Sequence, residues 1–151
     1  GLGQSLWLRE IIGRSDGASP AVDLAEERRH GDLVRRLVAQ GRVTAVHDVS
    51  DGGLLVALAE MALAGNLGAR IDWEANTDFW FGEHQSWYLL TTRHSDEVLS
   101  LASKDQTLAK PIAITGGDSI TTADWSLPLA DLRRAHEGFF PRLMGQELAV
   151  A

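Results

Sequence analysis

The stretch Val46-His-Asp-Val-Ser-Asp-Gly-Gly-Leu54 constrains this chain more than any other part of it. Residues 43–46 form a short β-branched run that reads as a buried strand. Residues 54–64 then read as a helix in which Glu60 is the one charged group, so burial on most sides is expected. Two carboxylates, a serine and two glycines therefore stand where a strand ends and a helix begins. Such a turn gathers unpaired backbone N–H groups and the positive end of the helix dipole, which suits a phosphate. Gly52 and Gly53 let the backbone come close to a ligand and take positive φ. Asp48 and Asp51 are hard oxygen donors for Mg²⁺, an ion that usually shares its shell with phosphate oxygens and water. Ser50 offers a hydroxyl to either partner. A plainer reading stands beside this one: Ser50 or Asp51 caps the 54–64 helix, and the glycines serve a tight turn. The Gly-Lys-Ser/Thr ending of a P-loop is missing.

The segments around this turn give the order β-α-β-β-α-β, flanked by a helix on each side. The first flanking helix is expected over residues 23–40, with Leu24, Leu33, Val34, Leu37 and Val38 as its apolar stripe and Gly41 as its stop. Residues 69–73 alternate like a half-buried strand, and residues 87–92 form the next one. Ser95 is the expected N-cap of a helix whose inner face is Val98, Leu99 and Ala102. Residues 111–114 read as a strand leading into Gly116-Gly117-Asp118, which suits a hairpin turn or a phosphate turn. The closing helix falls near residues 129–140. The order is a split βαβ pattern, so the fold class expected is α/β (α+β), with helices on a mixed sheet. At 151 residues the chain is expected to form one domain. Residues 1–20 serve as leading segment and linker, because residues 13–20 gather turn formers, and residues 21–151 make the domain.

A second candidate site is Phe81-Gly-Glu-His-Gln-Ser86, just before the 87–92 strand. Glu83 and Gln85 lie two apart and would point the same way in an extended segment, where they could hold an amide, a ribose or a metal-bound water. A polar turn between two apolar runs explains the same residues. His30, His94 and His136 fall on predicted helices or their ends and read as surface or capping groups, and His47 reads as structural. No two histidines show the i, i+4 spacing of a helical zinc site, and no Gly-x-Ser-x-Gly elbow is present. Trp73, Phe79, Trp80, Phe81 and Trp87 form an aromatic cluster, expected in the core or at an interdomain surface. Fourteen Lys and Arg against twenty-one Asp and Glu leave a charge of -7, which argues against broad nucleic-acid binding. The chain has no cysteine, which excludes disulfides and a thiol nucleophile and fits a reducing, cytoplasmic setting. No apolar run is long enough for a membrane-spanning helix. The chain opens on Gly1 and is expected to be part of a longer protein.

The block His47-Asp-Val-Ser-Asp-Gly-Gly-Leu-Leu-Val-Ala-Leu-Ala-Glu-Met61 resembles the signature of the last domain of the formylglycinamidine ribonucleotide synthases, in their small bacterial PurL form. Residues 2–11, 22–32, 81–86 and 132–141 resemble other segments of the same domain. The resemblance implies a three-layer α-β-α domain of the aminoimidazole ribonucleotide (AIR) synthase C-terminal type, partly ferredoxin-like. It implies a role in an ATP-dependent ligase that converts formylglycinamide ribonucleotide (FGAR) and glutamine-derived ammonia to the amidine, FGAM. It implies ATP or ADP and Mg²⁺ as cofactors, and as partners the remaining domains of the same chain, a PurQ glutaminase and a PurS subunit. By this likeness Asp48 matches a Mg²⁺ ligand and Ser50 a nucleotide contact at a second, pseudo-symmetric site. Asp51, Gly52 and Gly53 complete that turn. Glu83 and Gln85 match positions that touch substrate in the first α/β domain. Two residues depart from the pattern: His84 stands where Ser is common, and Trp87 where Arg is common. Loss of that cation makes a supporting site the expectation rather than a reaction centre. The reading from another class is a non-catalytic structural module that docks neighbouring domains.

Overall fold

The computed structural model describes residues 1–145. The last six positions of the expected domain, 146–151, lie outside the described residues. The chain divides into two compact units: Gly1–Met61 with Glu74–Pro111, and Ala62–Trp73 with the described residues from Ile112 on.

In the first unit, α1 (Leu6–Ile12) starts at Ser5, whose hydroxyl accepts the Leu8 N–H, and stops at Gly13 in the left-handed region. Helix α2 (Leu24–Ala39) starts at Asp23, which accepts the N–H groups of Ala25 and Glu26. Leu33 and Leu37 bury their side chains against Val98 and Ala102 of α5 (Ser95–Lys104), and Val43, Leu90, Leu101 and Ala109 close over this cluster. Leu24 and Val38, expected on the same stripe, are exposed: Leu24 is the first residue of α2, and Val38 lies one helical step around from the buried Leu37. His94, not Ser95, holds the N-cap position of α5, and its side chain makes no capping bond.

Strand β1 (Ala45–Asp48) runs antiparallel to β3 (Tyr88–Thr91), with Ala45 opposite Thr91 and Asp48 opposite Tyr88. This pair is a two-stranded ribbon. The expected strand is therefore shifted two residues along, and it is not buried: Ala45 and Asp48 are exposed, and among the described residues no third strand flanks the ribbon. Val43, by contrast, leaves the ribbon to pack on the α2–α5 cluster. Between the strands run α3 (Gly53–Gly65) and α4 (Thr77–Phe81), the latter capped by Asn76 and not foreseen from the sequence. Leu54, Ala57 and Leu58 of α3 are buried, in keeping with its uncharged sequence.

The second unit holds a four-stranded sheet in the order β4-β2-β5-β6. Its strands are β2 (Ala69–Ile71), β4 (Ala113–Thr115), β5 (Ser119–Thr121) and β6 (Ser126–Pro128). Strand β2 pairs antiparallel with β4 and parallel with β5, so the sheet is mixed, as expected. Its inner face is Ala69, Ile71 and Ile120, all buried. The turn Gly116-Gly117-Asp118 does not close a hairpin, because β2 lies between β4 and β5. It instead closes over Gly68, whose N–H and C=O bond Gly117 and Gly116. The closing helix is broken at Gly138 into α6 (Leu129–Glu137) and α7 (Phe139–Leu143). Arg133 of α6 donates to the Leu63 carbonyl at 3.0 Å and to Asn66 at 3.3 Å, and so covers the C-terminal end of α3. The mixed α/β class thus holds, with the strands shared between two sheets. Among the described residues no helix is long and apolar enough to cross a membrane.

Candidate functional site

The register of β1 against β3 decides where the candidate residues go. Asp48 ends β1 opposite Tyr88, and the pairing extends one step further as Val49 donates to the Trp87 carbonyl at 2.9 Å. The two candidate segments, 48–53 and 83–87, therefore leave the ribbon at the same end. They enclose a cavity of about 270 Å³ whose lining includes Asp48, Ser50, Asp51, Glu83 and Gln85. Trp87 and Tyr88 form part of the wall, and Glu27 reaches it from α2.

The turn between β1 and α3 is built by Gly52 and Gly53, at φ 81° and 78°. A Cβ on Gly53 would lie 2.7 Å from the carbonyl carbon of Phe81, so the backbone approaches where no side chain fits. From sequence alone the turn's N–H groups are open to a phosphate. In the structure, Gly53 donates to the Ser50 carbonyl at 3.0 Å, and Gly52 donates to Glu83 Oε1 at 2.9 Å. Neither Ser50 nor Asp51 caps α3 through a hydrogen bond of its side chain in the described contacts. Glu83 supplies the acceptor from a distant segment.

The second candidate segment ends in a turn at residues 85 and 86, with Ser86 at φ 59°, and Glu83 and Gln85 both line the cavity. Glu83 is half-buried and bonded to backbone, whereas Gln85 is exposed. The turn is fixed from behind by His30, whose Nδ1 lies 2.9 Å from the Ser86 carbonyl and whose side chain is 13% exposed. His30 is thus a half-buried tether rather than a surface group. His47 is structural, with Nε2 3.3 Å from Glu60.

The two departures noted in the sequence meet. His84 stacks on Trp87 with centroids 4.4 Å apart and planes 22° apart, and Phe79 packs on Trp87 and Trp80. Trp87 thus presents an aromatic wall to the cavity. Among the described residues no Lys or Arg lines it, while Glu27, Asp48, Asp51 and Glu83 are all acidic. Among the described residues no group of three or more His, Asp or Glu is placed to hold a metal by itself. The donor set of Asp48, Ser50 and Asp51 fits Mg²⁺ in its usual role, with one or two carboxylates and the rest of the shell from phosphate and water. Glu27 and Tyr88 are not singled out by the sequence, and His30 reads there as a surface group, because each reaches the site or its turn only through long-range packing.

An α/β domain with an acid-lined cavity at a strand-to-helix turn is the class that this geometry defines. The sequence matches the family described as AIR synthase related protein, C-terminal domain, over residues 1–125, and the chain belongs to that family. The PurL subunit of phosphoribosylformylglycinamidine synthase from Granulibacter bethesdensis is 53% identical over 146 residues, 96% of this chain and 20% of that protein. The PurL subunit from Zymomonas mobilis is 46% identical over 147 residues, covering 95% of this chain and 20% of that protein. The chain thus spans about a fifth of the length of the curated relatives it matches. Among solved structures, PurLQS from Thermotoga maritima aligns with a TM-score of 0.66 at 20% identity, over 86% of this chain and 24% of that one. T. maritima PurL complexed with FGAR aligns at 0.64 with 20% identity, over 78% and 22%. These structural likenesses bear on the fold.

Proposed function

We propose that this chain is the closing α/β domain of a formylglycinamidine ribonucleotide synthase of the PurL type, and that its cavity is a supporting Mg²⁺–nucleotide site. The parent enzyme would convert FGAR, ATP and glutamine-derived ammonia to FGAM in purine synthesis, as a cytoplasmic ligase. Its partners would be the other domains of the same chain, the PurQ glutaminase and PurS. The names of the relatives and the T. maritima structures with ATP, ADP and AMPPCP support this reading. The observation that carries the site is that Asp48, Ser50 and Asp51 from one segment and Glu83, Gln85 and Trp87 from the other line one cavity.

In this reading Asp48, with Asp51, holds Mg²⁺, while Ser50 and Gln85 reach the nucleotide and Gly52 and Gly53 shape the turn that carries Ser50 and Asp51. Bound Mg²⁺ would neutralise phosphate charge that no basic side chain here can meet. The domain brings no catalytic residue of its own, so the isolated chain is expected to be inactive.

Asp48→Ala in the full chain tests the reading, with Mg–ADP titrated by calorimetry and ammonia-dependent FGAM formation followed in the assembled enzyme. Mg–ADP affinity should fall by about tenfold or more, the scale expected when a charged ligand group is lost. Equal affinity in both proteins would overturn the Asp48 assignment. If wild type binds no Mg–ADP either, the domain acts as a docking module alone.

A further inference from the structure

We infer that Glu83 is a positioning residue rather than a ligand: its carboxylate ties the start of α1 to the glycine turn and thereby sets the shape of the cavity. Glu83 Oε1 accepts the N–H of Leu6 at 2.8 Å and that of Gly52 at 2.9 Å. Leu6 is the first residue of α1, where the N–H has no acceptor within the helix. Gly52 stands immediately before α3. One oxygen therefore satisfies a donor at the start of each of two helices. A carboxylate acceptor makes such bonds roughly twice as strong as a neutral one.

The turn needs this support. Two consecutive glycines in the left-handed region have more backbone freedom to lose than any other pair. Two apolar contacts run beside the hydrogen bonds. Gly53 abuts the Phe81 backbone, and the Phe81 ring lies 6.1 Å from Trp7 of α1. Helix α1, the glycine turn and residues 81–83 meet at one junction, with Glu83 as its polar link. The cavity is thus coupled to the docking of α1, a segment that does not line it.

Amide hydrogen exchange, read by mass spectrometry on the full chain, tests the coupling; the affinity readout added to it rests on the nucleotide reading above. Glu83→Ala removes the acceptor, and Glu83→Gln keeps an acceptor oxygen without the charge. Leu6→Pro removes the α1 donor together with the leucine side chain and leaves Glu83 in place. Proline suits a first helical position, and Ser5 at φ -72°, ψ 155° already has the extended backbone that precedes proline. Leu6→Ala keeps the N–H and controls for the lost side chain.

Exchange at residues 50–53 should quicken by about tenfold in Glu83→Ala, the scale of a lost charge-assisted bond. Leu6→Pro should quicken the same residues, Glu83→Gln less so, and Leu6→Ala should match wild type. Mg–ADP affinity should weaken in the same order. Wild-type exchange at 50–53 in Leu6→Pro would overturn the coupling. Lost affinity in Glu83→Ala or Glu83→Gln with unchanged exchange would make Glu83 a ligand and overturn the inference. If wild type binds no Mg–ADP, the nucleotide reading fails while the exchange rates still decide the role of Glu83. Should Glu83→Ala not fold, Glu83→Gln and Leu6→Pro decide it.

Discussion

At the scale of single residues, Asp23 and Glu83 do the same job with different legibility. Both accept backbone N–H groups at helix starts. Asp23 Oδ1 lies 2.9 Å from the Ala25 nitrogen and 3.0 Å from that of Glu26. These bonds, Glu26 first, hold its carboxyl below the ordinary 3.8, and they outweigh the small opposing effect of burial. A depressed pKa means that the charged form is favoured by folding. Its contribution is therefore full above the unfolded value and lost as pH falls through the folded one. Asp23→Ala should lower the melting temperature near neutral pH, and the gap from wild type should close below about pH 4. Asp23→Asn keeps a capping oxygen, so it should fall between them and lose the pH dependence; thermal melts across pH check both. The expected helix starts at Asp23 with no capping role given to it, yet that role is encoded locally, since its partners are two and three residues away. The partners of Glu83 are 31 and 77 positions away, a relation that no local spacing encodes.

At the scale of elements, periodicity located the helices, and burial decides which of their apolar residues matter. Leu37 is 1% exposed in the α2–α5 cluster, whereas Leu24, on the same predicted stripe, is 75% exposed. Leu37→Ala should cost about 2–5 kcal/mol by denaturant unfolding, as for other large-to-small core changes. Leu24→Ala should stay within about 0.5 kcal/mol of wild type. A comparable cost at both positions would mean that α2 packs differently. The strands were harder to read. The three-residue strands β5 and β6 include Ser119, Thr121, Ser126 and Pro128, and so present no β-branched apolar run to detect. Strand β1 was found two residues early because Val43 is apolar for the sake of the helix cluster, not the ribbon. The closing helix parted at Gly138, whose N–H ends α6 on the Arg134 carbonyl.

At the scale of the whole molecule, the mixed α/β class followed from the alternation of helical and strand patterns along the chain. The division of the strands between two sheets did not, because pairing joins residues far apart in sequence. The candidate site was legible as two separate motifs, and the fold brought them to one cavity. What neither motif revealed is the electrostatic setting. The chain carries a net charge of -7, and its cavity adds Glu27, Asp48, Asp51 and Glu83 with no basic partner in the lining. A free nucleotide triphosphate would meet repulsion both at long range and on contact. Nucleotide binding by this domain should therefore depend on the divalent ion. Adding EDTA to the titration should weaken ADP and AMPPCP binding by about tenfold or more, since like charges a few ångströms apart oppose each other by about 1 kcal/mol even in water. In EDTA, raising the ionic strength should leave residual binding unchanged or strengthen it, because salt screens repulsion as well as attraction. Binding that ignores EDTA and weakens with salt is the behaviour of a basic anion site. That outcome would place the phosphates elsewhere on the chain and leave the acid-lined cavity without a nucleotide.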